Sequence, residues 1–553
     1  MTGDQKWDVI IVGAGSAGCA LAARLSENGA RQVLLLEAGT DYPTADDFPR
    51  EIAVAGSMAA TVPGHPSNWN FVGELLPGRS FPVARGKILG GSSAINGTYF
   101  IRACREDLDQ WAAAGNELWS YERVLPYFRK SERDLDFGGP YHGQDGPTPV
   151  ARVPSGQLHP VSTSFMEACT SAGFPEEPDK NVPGGDGVGR IPRNVLHGIR
   201  MNTGMTYIAA ARSRPNITVL GNTFVQRVLF QGTRATGVEA VQDGRPVTFS
   251  AAEVILSAGA IKTPHLLMLS GIGPAAHLRE HGIDVVHDSP GVGQGVKDHP
   301  VIFVNFQIRE DGLPIPADLQ PFETCLNYTA PGSNVTSDVH LLCGVVSYSR
   351  TIRARNASGK AAVLPSYLRR PLATVRALSR LQPGMVLKQA REQGNLTMLV
   401  GLEAEKSTGV IALKSGDPAE LPAINLGYLA HPDDLPRLRD NLRLAVSLLE
   451  SPSFKPLETR VVGPGPQQLS SDENLSAWIR ANIGSAFHSI HSAHMGPVTD
   501  PAAVVDQHCR VHGVDGLRVA DLSIVPSMRR GPAATAVMIG ERVAGLIDAA
   551  EER

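Results

Sequence analysis

Near its start the chain reads Asp8-Val9-Ile10-Ile11-Val12, a short apolar and β-branched run. It is followed by Gly13-Ala14-Gly15-Ser16-Ala17-Gly18 and then by apolar positions Cys19, Leu21, Ala22 and Leu25 at helical spacing, ending near Gly29. A second apolar run, Val33 to Leu36, finishes on Glu37. This pattern predicts strand, glycine turn, helix and strand in about 30 residues. Further strand-like runs occur at Ile217–Leu220, Val225–Phe230, Ala235–Val241, Val254–Ser257 and Leu517–Ala520, and Ala534–Ile547 carries apolar residues at helical spacing. Similar short strands at the start, middle and end imply an α/β first domain that is discontinuous in the chain. The predicted division places 1–155, 200–312 and 497–553 in that domain and 156–199 and 313–496 in a second, inserted one.

A G-x-G-x-x-G run is informative in this context. Gly13 permits the tight turn, Gly15 lets backbone approach a pyrophosphate, Gly18 lets helix and strand pack closely, and the helix N-terminus favours an anion. Glu37 stands where a carboxylate holds a ribose 2′-hydroxyl, which argues against a 2′-phosphate and hence against NADP. The turn therefore reads as a dinucleotide site.

Composition narrows the class. The 57 glycines and 41 prolines form about 18% of 553 residues, above the roughly 12% of average usage and below the level of disordered chains. With 51 basic against 55 acidic residues the chain is nearly neutral, which excludes a globally basic nucleic-acid binder. Six dispersed cysteines without a C-x-x-C pair imply reduced thiols, and no N-terminal leader pattern or long apolar run is visible; the expectation is a cytoplasmic protein without a transmembrane segment. Neutrality is not uniform: Val339 to Arg391 contains no acid but ten basic residues, with Leu368, Leu372, Val375, Leu378 and Leu381 spaced as on an amphipathic helix. It reads as a solvated face over a core stripe, or as a surface for an acidic partner, an anionic substrate or a membrane, which allows a peripheral membrane location.

Two longer motifs carry a resemblance. Arg85-Gly86-Lys87-Ile88-Leu89-Gly90-Gly91-Ser92-Ser93-Ala94-Ile95-Asn96-Gly97 and the run from Ser257 to Pro274 resemble the two signatures of the glucose–methanol–choline (GMC) oxidoreductase family. With the opening turn and Gly516 to Asp521, the motifs follow the family's order across the chain. The resemblance implies a Rossmann-like FAD-binding domain plus a substrate domain with an antiparallel sheet, of the p-hydroxybenzoate-hydroxylase type. It implies FAD contacts at Gly13, Gly15, Ser16, Ala17, Gly18, Glu37, Ala38, Arg85, Leu89, Gly90, Gly91, Ser92, Asn96, Gly97, Val225, Ala258, Gly259, Asp521 and Ala534. Relatives that attach FAD covalently use a histidine just before the signature asparagine; Ile95 stands there, so non-covalent FAD is expected.

Oxidising an alcohol requires a base for the hydroxyl proton while hydride leaves the carbon, and histidine titrates in the right range. Phe487-His488-Ser489-Ile490-His491-Ser492-Ala493-His494-Met495-Gly496 resembles the family's catalytic-histidine segment, with His488 at the matching place. His491 is expected to line the pocket or tune His488. A metal site on the three histidines is not expected, because no carboxylate or thiolate ligand adjoins them in sequence. The family's second catalytic histidine or asparagine maps onto Ala533. Ala94–Phe100, Glu132–Gln144 and Arg530-Gly531-Pro532 are similar to the mycofactocin-associated branch, whose members handle a peptide-derived redox carrier. The resulting expectation is an FAD-dependent enzyme acting on an alcohol or such a carrier, a dehydrogenase rather than an oxidase, passing electrons to a quinone-like, dye-like or protein acceptor. The alternatives are a fatty-acid photodecarboxylase-like enzyme using Arg369 to Arg391, or a non-catalytic electron-transfer flavoprotein.

Overall fold

The computed structural model describes residues 6–309, 313–316, 318–353, 375 and 394–551. Val33–Leu36 is buried throughout, as a strand covered on both faces must be, and lies at the centre of a parallel arrangement. Ile217–Leu220 pairs with Val33–Leu36, Val33–Leu36 with Lys6–Val12, and Lys6–Val12 with Arg245–Leu256, all in parallel. Arg245–Leu256 also pairs antiparallel with Arg234–Gln242, which pairs antiparallel with Thr223–Gln231; Leu517–Val519 joins its C-terminal half in parallel. Widely separated segments thus share one sheet, as the recurrence of short strands predicts.

The helix Ala533–Glu551 packs on Ser16–Leu25. Contact there is close because a Cβ on Gly540 would stand 2.3 Å from the Ala17 carbonyl oxygen. Buried Glu541 ties the pair together, accepting from Arg24 Nε at 2.8 Å and the Tyr207 hydroxyl at 2.7 Å.

A second sheet is antiparallel, in the order Arg460–Gly463, Pro300–Gln307, Leu396–Leu402, Val339–Gly344, Phe322–Tyr328 and Gly187–Arg190. Pro300–Gln307 therefore pairs within the second sheet, although it precedes residue 312 in the chain. Its apolar run resembles a strand of either sheet, and only the pairing distinguishes them. Helix Asp434–Leu449 covers one face through Leu438, Leu442, Ala445, Val446 and Leu449, a stripe of helical period. Apart from Val375, the stripe Leu368 to Leu381 lies outside the described residues, as do Arg369 to Arg391. No helix among the described residues is long and apolar enough to cross a membrane.

One charged cluster lies mostly in the interior, with Asp179 at its partly buried edge. His142 Nδ1 lies 3.0 Å from Glu132 and 3.1 Å from Asp134, its Nε2 lies 2.7 Å from Asp179, and Arg102 and Arg152 bridge the same carboxylates. Three carboxylates facing two guanidinium groups and an imidazole form a self-neutralising structural knot. Burial opposes the charged ring of His142, but hydrogen bonds to Asp134, Asp179 and Glu132 outweigh it and raise its pKa to about 10. Burial likewise opposes Asp134 ionisation, yet His142 and Arg152 hold it down at about 2. His142 therefore stabilises the fold fully below its ordinary value near 6.5, and that contribution fades as pH rises towards 10; the Asp134 contribution is complete above about 4 and is lost towards pH 2. In urea denaturation, the stability gap between the native protein and His142→Gln should narrow from pH 6 to pH 10. A constant gap would mean that the ring's charge does not support the knot.

Candidate functional site

Between the two sheets lies a cavity of about 1340 Å³. That exceeds the usual span of a single small-ligand pocket, roughly 300–1,000 Å³, and leaves room for a dinucleotide with a substrate beside it. Its floor is the opening turn. Gly13 has φ +104°, and a Cβ there would sit 2.4 Å from the Ser257 carbonyl oxygen; one on Gly18 would sit 2.0 Å from the Gly13 oxygen. At Gly15 the same construction meets protein only at 4.0 Å, because that direction opens into the cavity. The glycines thus divide into two that pack and one that leaves space for a ligand.

Glu37 lines the cavity, and its carboxylate accepts from the amides of Ala14 at 3.0 Å and Gly39 at 2.8 Å. Burial raises its pKa to about 7 despite those amides. Asp521 also lines the cavity while accepting from Gly259 N at 2.8 Å and Thr263 Oγ1 at 2.6 Å, so its side chain anchors the start of helix Gly259–Leu269. Ser16, Ala17, Ala38, Arg85, Gly91, Ser92, Asn96, Gly97, Val225, Ala258 and Gly259 line the cavity as well. Gly18, Leu89, Gly90 and Ala534, also expected to contact FAD, are not among the residues that line the cavity. Ile95, buried and carbon-only, also faces the cavity. The two glycine loops, the Glu37 carboxylate and the largely apolar lining fit FAD, and the carbon-only side chain of Ile95 offers no atom for a covalent link to it.

Phe224, Val225 and Trp69 share one end with Lys262. Lys262 Nζ lies 5.4 Å from the Trp69 ring centre and 5.2 Å from that of Phe224, and 2.8 Å from His265 Nδ1. Burial lowers its pKa to about 8. Lys262 and His265 stand inside the Ser257–Pro274 signature, which assigned neither of them a role, although a Lys and a His three residues apart on a buried apolar helix were a usable signal.

At the other end stands His488. Its backbone amide donates to Asp298 Oδ1 at 2.7 Å, and the preceding Phe487 adopts φ +62°, a strained turn that presents the ring to the cavity. Nδ1 of His488 lies 3.0 Å from Nδ1 of His299, while Nε2 lies on the cavity side, 4.0 Å from where a Cβ on Gly531 would be. His299 is buried and also contacts the Met528 carbonyl through Nε2 at 3.0 Å and Glu403 through Nδ1 at 3.1 Å. Glu403 reaches His340 Nδ1 at 2.8 Å, and the His340 ring fits because a Cβ on Gly401 would stand 2.3 Å from it. Burial and the neighbouring His299 charge push the His488 pKa well below the usual histidine value. His299 is driven the other way, to about 10: burial opposes its charge, but Glu403 and Glu405 outweigh that.

His491 lies outside the cavity. It stacks on His494 at 4.2 Å between ring centres, and its Nδ1 contacts the Pro526 carbonyl at 2.8 Å. His494 pairs with Asp500 at 3.1 Å, a carboxylate beside the histidines that sequence proximity did not suggest. Ala533 faces the cavity with Gly531 and Pro532, an apolar strip opposite His488. The adjoining arginines do not fill the gap: Arg529 pairs with Asp107 at 2.7 Å, and Arg530 turns to the Lys180 carbonyl at 3.3 Å.

Residues 7–301 and 405–540 match the N- and C-terminal models of the GMC oxidoreductases. The chain is 38% identical over 548 residues, 99% of either chain, to an uncharacterized GMC-type oxidoreductase in the thcA 5′ region of Rhodococcus erythropolis. It is 34% identical to the mitochondrial choline dehydrogenase of Mus musculus, covering 99% of this chain and 90% of that one. Among solved structures it is similar to pyridoxine 4-oxidase from Mesorbium loti, with a TM-score of 0.84, 26% identity and coverage of 98% and 99%.

Proposed function

This chain belongs to the GMC oxidoreductase family, and on that premise we propose that it oxidises an alcohol, or a reduced carrier of alcohol type, using non-covalent FAD and His488 as general base. The family makes it an FAD-dependent enzyme of the class acting on alcohol-type donors. Bound FAD supplies the acceptor for the hydride that leaves the alcohol carbon.

The observation that carries the reading is the exposure of one nitrogen of His488 to the cavity while its other nitrogen and its backbone are held. A base needs that combination of fixed orientation and an open proton-accepting atom. Ala533 offers no hydrogen bond to the substrate oxygen, so orientation falls to the cavity walls. The sheet provides Phe303, Leu342, Leu399 and His340 for this, which favours an apolar alcohol. With no polar partner at Ala533 to assist a second half-reaction with oxygen, a dehydrogenase is the preferred form.

An anaerobic absorbance screen over alcohols, followed by admission of air, tests this. Apolar alcohols should bleach the flavin band, and colour should return more slowly in air than with a soluble dye acceptor. Failure of every alcohol to bleach the flavin would overturn the assignment; immediate reoxidation by air would make the protein an oxidase.

A further inference from the structure

His299 was marked by no motif, and alcohol oxidation as set out above does not use it, yet both of its ring nitrogens are held by neighbours at the site. The gap of 3.0 Å between its Nδ1 and that of His488 admits one hydrogen and no more. Two N–H groups facing each other there would clash, and two lone pairs would repel. If the hydrogen belongs to His299, the neutral His488 ring must carry its own hydrogen on Nε2, the atom facing the cavity, and cannot accept another. If it belongs to His488, Nε2 presents a lone pair.

We infer that His299 is a positioning residue which selects the tautomer of His488, so that His488 takes the alcohol's proton only when His299 is neutral. The inference rests on the reading of His488 as the base. In the competent state His488 donates from Nδ1 to the lone pair of His299 Nδ1, and His299 donates from Nε2 to the Met528 carbonyl. As the alcohol O–H bond breaks, an N–H bond forms at His488 Nε2. The O–H electron pair stays with oxygen and forms the carbonyl while hydride leaves the carbon for the cofactor. The Nδ1 hydrogen of His488 can then pass to His299, where Glu403 faces the resulting charge.

The groups around His299 determine when it is neutral. Glu403 lies 3.1 Å from Nδ1 and Glu405 3.9 Å from Nε2. Both favour the charged ring, as does the Met528 carbonyl. His340 shares Glu403 at 2.8 Å and draws on the same carboxylate. On the His488 side, Asp298 holds the backbone amide, its other oxygen accepts from Ser485 and Ser489, and Arg85 donates to Ser489 at 2.9 Å. Lys297 is turned to the Pro526 carbonyl. Burial opposes the charge of Glu403, but His340 and His299 outweigh it and hold this carboxyl well below its usual range, whereas burial raises Glu405 to about 7. Glu403 is therefore the group that keeps His299 charged at neutral pH, and the competent tautomer accumulates as pH rises.

The test uses the FAD-loaded enzyme and the best alcohol of the screen. For the native protein, kcat/KM for flavin reduction should climb about tenfold per pH unit between pH 7 and 9, as a single required deprotonation dictates. In Glu403→Gln the climb should move about 1–3 units towards acid, because removing an adjacent opposite charge lowers the histidine pKa by that order. A flat native profile, or an unmoved one in the variant, would overturn the inference while leaving His488 as base. Should Glu403→Gln fail to fold, native protein labelled with ¹⁵N-histidine gives an independent reading. At pH 7 the His488 ring should carry its hydrogen on Nε2 and shift it to Nδ1 as His299 titrates; a hydrogen on Nδ1 at pH 7 would overturn the inference.

Discussion

His488→Ala should bind FAD normally and yet reduce it with an alcohol about 100- to 10,000-fold more slowly, the range associated with removing a positioned acid–base group. Normal cofactor binding is expected because the anchoring contact at this residue comes from its backbone amide to Asp298, which alanine retains. Stopped-flow bleaching under anaerobic conditions reads the rate, and the flavin spectrum of the purified variant reads the loading. If the yellow variant bleaches at the native rate, His488 is not the base. The effect should appear in kcat and kcat/KM together, since a proton acceptor acts in the transition state rather than in binding.

Gly15→Val should give a folded but colourless protein. Its Cβ direction is free of protein contacts to 4.0 Å and its φ of −83° suits any residue, so the polypeptide tolerates the side chain. The branched group would instead enter the space that a pyrophosphate needs at the helix N-terminus. Overpacking of this kind costs about 1–3 kcal/mol, or roughly 5- to 150-fold in cofactor retention, even where the surroundings yield. Circular dichroism should be unchanged while flavin absorbance is lost. Gly18→Val is the contrasting case: its Cβ would meet the Gly13 carbonyl oxygen at 2.0 Å, so the turn itself should fail. Retention of FAD by Gly15→Val would place the pyrophosphate elsewhere. From native protein, acid precipitation should leave the flavin in the supernatant, since Ile95 cannot bond to it.

The contrast between these two glycines shows what could be read without a structure. The opening turn, Glu37 and the second glycine loop are local patterns whose spacing carries their meaning, and the cavity gathers most of them. His488 was found through a longer local pattern. His299, His340 and Glu403 follow no such pattern: antiparallel pairing sets Val301 and His340 both against Gly401, which carries three distant segments to one point. Their importance depends on strand register, which apolar alternation leaves undetermined. The sheet that Pro300–Gln307 joins was illegible for the same reason, since it reads as a strand without declaring its neighbours. The basic segment was a compositional signal, and most of it falls outside the described residues.

The scattered origin of the first sheet also sets a timetable for assembly. Glu37 emerges early, but Asp521, which anchors the start of helix Gly259–Leu269, and Leu517–Val519, which completes the sheet, are made far later. At about 5–20 residues per second, the nucleotide turn waits roughly 25–100 s on the ribosome for its partners. During that interval its hydrophobic strands have no finished sheet to join. The cavity therefore has its full set of walls only once nearly the whole chain has been made.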